Sequence, residues 1–87
     1  MYSEKTKEVN MRQVLKKIVR DVIESEDYIT KSQIKDRVLD YAVENKILTK
    51  DFVIAFGDIG WVFQDLRQKD EVIDCIKDGR NWLWYAT

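Results

Sequence analysis

The 87 residues are enough for one small domain, and a chain this short buries a compact core with little left for a deep pocket. Hydrophobic residues at 45 % argue against disorder, and 15 basic against 16 acidic side chains, a net charge of −1, argue against a uniformly basic nucleic-acid binder. Histidine is absent and Cys75 is the single cysteine, so neither an internal disulfide nor a zinc or other metal site is expected.

No run approaches the roughly 18 apolar residues of a membrane span. The start, Met1-Tyr2-Ser3-Glu4-Lys5, lacks the apolar stretch of a signal peptide. The expectation is a cytoplasmic protein with no membrane partner.

Residues 1–8 are polar and read as a flexible arm, leaving 9–87 as the domain. Met11, Val14, Leu15, Ile18, Val19, Val22 and Ile23 then recur at three- and four-residue intervals, predicting a helix over about 9–25. Arg12, Lys16, Lys17, Arg20 and Glu24 form its solvated side. Glu26-Asp27-Tyr28-Ile29 breaks the period, and Tyr28-Ile29 reads as a very short strand. Thr30 with Gln33 makes a capping box for a second helix over 31–44. That helix is expected to bury Ile34, Val38, Leu39 and Ala42, with Asn45 as a left-handed stop.

Within 46–57, Thr49 or Asp51 caps a short helical turn that Gly57 ends. Asp58 is the expected N-cap of a third helix, Ile59 to about Gln68, burying Ile59, Val62, Phe63 and Leu66 at helical spacing. From Glu71 the pattern becomes strand-like. Val72–Ile76 and Asn81–Tyr85 flank Asp78-Gly79, a favoured two-residue hairpin loop. That loop pairs Cys75 with Trp82 and Ile73 with Trp84 on one face of the ribbon, and Val72 with Tyr85 and Asp74 with Leu83 on the other.

The order helix, short strand, capped helix, third helix, terminal hairpin resembles the winged helix-turn-helix superfamily over about residues 9–86. The resemblance implies an α+β, mostly helical fold with three main helices and a C-terminal β-hairpin wing. Residues 46–57 depart from it, being longer and more apolar than the usual turn, so a short extra helix fits there.

By position, the resemblance implies that the third helix presents Trp61, Gln64, Asp65, Arg67 and Gln68 to duplex DNA. Lys31, Ser32 and Lys35 at the second helix, and Lys77, Arg80 and Asn81 at the wing, would hold the backbone. Gln64 and Gln68 carry amides that suit adenine edges. Charge points the other way. Between Asp58 and Arg80 the carboxylates of Asp58, Asp65, Asp70, Glu71, Asp74 and Asp78 outnumber Arg67, Lys69, Lys77 and Arg80.

The implied function is a small DNA-binding regulator. The alternative is a protein-interaction module, an assembly factor or inhibitor, using Trp61, Trp82, Trp84 and Tyr85 as exposed anchors. The partner is duplex DNA or a protein, and a homodimer is left open. No enzyme activity and no cofactor are expected, because no histidine base is present, Cys75 sits in an apolar strand, and glycines at 57, 60 and 79 make no phosphate loop.

Overall fold

A computed structural model describes the backbone of residues 4–87 and the side chains from Met11 onward. Its order is α1 (Glu4–Ser25), β1 (Ile29–Thr30), α2 (Lys31–Glu44), α3 (Lys50–Gly57), α4 (Gly60–Gln64), one π-helical turn (Asp65–Lys69), β2 (Ile73–Asp78) and β3 (Asn81–Ala86). The fold is α+β, with four helices among the described residues and a three-stranded antiparallel sheet in the order β1-β3-β2.

Helix α1 starts earlier than its apolar period indicates. Residues 1–3 of the expected arm lie outside the described residues, and residues 4–8 belong to α1. Glu4, Lys5, Lys7 and Glu8 are good helix formers and need no apolar face to continue the helix. The helix buries Leu15, Ile18, Val19 and Ile23, with Met11 and Val22 half-buried at the edge and Val14 exposed.

The reversal after α1 is sharp. Tyr28 takes a left-handed φ of 65° and donates its N–H to the Trp84 carbonyl at 2.8 Å, which starts the pairing of β1 with β3. The capping box at α2 is complete. Gln33 N–H donates to Thr30 Oγ1 at 3.2 Å, and Thr30 N–H donates to Gln33 Oε1 at 3.1 Å. Ile34, Val38 and Ala42 are buried and Leu39 is half-buried. The left-handed stop is Lys46 (φ 56°) rather than Asn45, which keeps φ −97° and uses its amide to donate to the Tyr41 carbonyl.

Thr49, not Asp51, caps α3, accepting from Phe52 N–H at 3.3 Å. Asp58 closes α3 instead of opening α4, whose N-cap is Ile59 with no side-chain cap. The expected single α-helix over 59–68 is therefore divided. After Gln64 it widens, with Asp70 N–H reaching Asp65 O at 2.9 Å, the five-residue spacing of a π-turn. Val72 N–H then bonds Leu66 O at 2.9 Å while Glu71 turns left-handed (φ 54°), a closure one residue wider than the Schellman motif, as the preceding π-turn requires.

The hairpin turn lies one residue further on than expected. Asp78 pairs with Asn81, so Gly79-Arg80 is the loop. Only Gly79 has positive φ (64°), which matches a turn with glycine at its first central position. Cys75 accordingly pairs with Trp84 and not Trp82, Ile73 with Ala86, Asp74 with Tyr85 and Ile76 with Leu83. The faces survive the shift. Ile73, Cys75, Trp82 and Trp84 still share one side, and Ile73 and Trp84 seat it on the helices, the Trp84 ring 4.8 Å from Phe63. One cluster joins Leu15, Ile34, Val38, Phe52, Val62, Phe63, Leu66 and Ile73.

Two stability predictions follow from these positions. Gly79→Val is expected to cost about 1–2 kcal/mol by forcing a β-branched residue left-handed, whereas Gly57→Ala, with negative φ and no atom within 4 Å of the added Cβ, is expected to add about 0.4–1 kcal/mol. Leu66→Ala, emptying a site only 3 % exposed, is expected to cost about 2–5 kcal/mol. Urea denaturation measures all three.

Candidate nucleic-acid interface

The capping box fixes the start of α2 at the mouth of an open groove of about 520 Å³. Thr30, Lys31 and Ser32 form one wall, Arg67 from the π-turn another. Cys75, Arg80, Asn81, Trp82 and Trp84 come from the hairpin. Lys31 reaches across toward α4, its ammonium 5.0 Å from the Phe63 ring centroid and beside Gly60. Five of the eleven residues chosen from sequence thus meet in one place: Lys31, Ser32, Arg67, Arg80 and Asn81.

Of the groove's three cations, Arg67 is partnered by Asp74, while Lys31 and Arg80 are not. Arg67 Nε donates to Asp74 Oδ1 at 3.0 Å, and that same oxygen accepts the Cys75 N–H at 2.8 Å. Asp65 and Asp70 turn to the opposite flank, where Lys16 of α1 lies 3.9 Å and 2.8 Å away. Among the described residues no carboxylate lines the groove, and neither Lys31 nor Arg80 is in an ion pair.

The other sequence choices lie around it. Lys77 is paired across the ribbon with Trp82 and holds its ammonium 6.0 Å from that ring. Lys35, one turn along α2 from Lys31, stands 5.9 Å from the Phe56 ring. Gln64 donates to Gln68 Oε1 at 3.4 Å, so the two exposed amides lie one turn apart on the same face.

Trp61 and Asp65 are not on the outward face. Both are half-buried on the flank that packs against α1, where Arg12 faces Trp61 (5.3 Å to the ring) and Lys16 faces Asp65. A second helix leaning on that flank widens the covered arc beyond the Ile59/Val62/Phe63/Leu66 stripe. The expected aromatic patch is divided as a result. Trp61 packs beside α1 with its indole N–H buried and unpaired, Trp82 and Trp84 line the groove, and Tyr85 stacks on Tyr28 at 5.4 Å on the other side of the sheet.

Sequence reasoning named Trp82 as an anchor for a protein partner but did not place it in this groove, for which period-2 alternation with Trp84 was the available signal. It did not single out Val43 at the end of α2, Leu48 in the connection that follows, and Val53 and Ile54 on α3, which are exposed apolar residues. The signal for the last two was the unbroken run Phe52–Phe56, since a two-turn helix cannot bury every side. Among the described residues no cluster of His, Cys, Asp or Glu is placed to hold a metal ion, and no helix is long and apolar enough to cross a membrane. No family model matches the chain, and the searches of curated proteins and of solved structures returned no match.

The Lys16 ammonium, by its hydrogen bond and charge, holds the Asp70 carboxyl below its ordinary range. Its contribution to stability is therefore complete above the unfolded value, about 3.9, and is lost as pH falls through the depressed folded value. Urea midpoints followed from pH 7 downward are expected to fall more steeply in the acid range for the parent than for Asp70→Asn.

Proposed function

We propose that this protein is a small DNA-binding winged-helix domain, acting as a transcriptional regulator. The sheet order β1-β3-β2, with α2 and α4 between β1 and the terminal hairpin, supports the winged-helix reading. The observation that carries the function is the groove: Lys31 and Arg80 converge there without an ion-pair partner, beside an Arg67 held by Asp74, with no carboxylate among the described lining residues, in a chain whose net charge is −1. Local charge of one sign, not total charge, is what a phosphate backbone meets.

In this reading the exposed face of α4 and its π-turn, with Gln64, Arg67 and Gln68, lies along the major groove. The amides read base edges there. Lys31 and Ser32 at the start of α2 hold a phosphate, helped by first-turn N–H groups that have no helical acceptor. Lys77, Arg80 and Asn81 on the hairpin grip the neighbouring backbone. The division of labour is general, because phosphate contacts position the protein while base contacts specify the site.

The exposed apolar residues Val43, Leu48, Val53 and Ile54 favour a second reading, a protein-interaction module. Titration with random duplex DNA at two salt concentrations separates the two. A domain working only through those apolar residues binds duplex weakly at both. DNA binding predicts a clear loss of affinity at the higher salt. Lys31→Ala and Arg80→Ala are each expected to weaken all sequences alike and flatten the salt slope by about one unit. Gln64→Ala is expected to relax preference at one base position by about 1–3 kcal/mol. Unchanged binding and salt dependence in Lys31→Ala, Arg80→Ala and their double variant would overturn the DNA reading.

A further inference from the structure

Trp82 has no role in the core, yet its position is fixed. It is 53 % exposed, although strand alternation places it on the same sheet face as Trp84, which packs on Phe63. Among the described residues no buried one covers it, so the indole carries the core-facing side of the hairpin into the groove. Pairing of Trp82 with Lys77 holds the ring in register, and the Lys77 ammonium stands 6.0 Å from its centroid. The ring borders a groove that also carries Lys31, Arg67 and Arg80 as cations and Thr30, Ser32 and Asn81 as hydrogen-bonding groups. At about 520 Å³ the groove falls in the size range of sites that take small planar ligands.

An ordered, exposed indole among cations is the combination that binds unpaired nucleobases. The π-face stacks on the base while nearby ammonium and guanidinium groups hold the flanking phosphates. A base inside an intact duplex already has both faces covered by its neighbours and cannot use the platform. We infer that Trp82 is a stacking platform for an unpaired base, so that the site takes DNA in which a single strand adjoins the duplex. Lys31 and Arg80 meet the phosphates beside that base. This inference rests on the DNA-binding reading and narrows its ligand.

The test compares a blunt hairpin duplex with the same duplex carrying a short oligothymidine overhang, by fluorescence anisotropy at low salt. The overhang is expected to tighten binding about tenfold, in line with the strength of base–aromatic stacking. Trp82→Leu, which keeps apolar bulk without a π-face, is expected to lose that gain, so that blunt and overhang duplexes bind it alike. Trp82→Phe is expected to keep most of the gain. A second readout does not depend on the leucine variant folding. The overhang is expected to quench tryptophan emission in the parent and not in Trp82→Phe, where Trp61 and Trp84 remain. Equal, salt-dependent affinity for blunt and overhang duplexes would overturn the stacking platform and leave the duplex reading standing. A gain that survives in Trp82→Leu would overturn it too, since charge alone would then explain the preference. Absence of binding to either DNA would overturn the function itself.

Discussion

Trp84 is where the sheet is fastened to the helices. Its strand is the central one, with Ile29 opposite on one side and Cys75 on the other, and its ring lies against Phe63. That contact sets the height at which the hairpin leaves the helical layer. With Trp84 seated, Ala86 and Ile73 close the buried end of the ribbon, and Arg80, Asn81 and Trp82 at its other end face the start of α2 across the groove. The third wall, Arg67, reaches it because the chain widens into a π-turn after Gln64, a departure that recurs at functional positions of helices in general.

Charge is sorted by the same geometry. Exposed ion pairs add little stability, typically up to about 1 kcal/mol each, but they decide which charges remain available. Lys16 engages Asp65 and Asp70, Glu26 accepts two hydrogen bonds from Arg37, and Lys17–Asp21 and Arg20–Glu24 pair along α1. Two of the six acids that make this segment look hostile to phosphate in a linear count, Asp65 and Asp70, are turned toward α1. Asp74 has a structural task, since it covers the Cys75 N–H of strand β2 and fixes Arg67 at the groove. A side-chain oxygen on an edge strand also occupies a donor that would otherwise invite another strand.

Much of this was legible in the sequence because the signals were local. The Thr30/Gln33 capping box, the Thr49 cap and the Ile59/Val62/Phe63/Leu66 spacing each carry their mechanism within a few residues. The hairpin register was not legible to the residue, because Asp78-Gly79 and Gly79-Arg80 both offer a glycine for a two-residue loop. Moving the loop by one position shifts partners by two and so preserves which residues share a face, which is why Trp82 and Trp84 stayed together. Trp61 and Asp65 were misplaced for a different reason. A helical period identifies the centre of the buried stripe, but not that Arg12 and Lys16, one turn apart on α1, cover the adjacent flank. For the site, the residue types were legible; their convergence was not, because it depends on where three separate elements end.

Strained or exposed residues are expected where local rules yield to something else, and most of them here have a structural account. Tyr28, Lys46 and Glu71 are left-handed without being glycine, and each stands where a helix must stop or turn. Tyr28 is held by its hydrogen bond to Trp84 and its stack on Tyr85, and Glu71 by the closure of Val72 on Leu66. Trp82 has no such account. It ends no helix and fills no part of the core. A smaller polar residue would pair with Lys77 equally well in the ladder, with less apolar surface in water. Among the hairpin residues that border the groove it is the one whose type neither folding nor pairing requires, and its neighbours there include cations, with no carboxylate among the described lining residues. The stacking role inferred for it is one in which an exposed indole at this place meets a requirement from outside the chain.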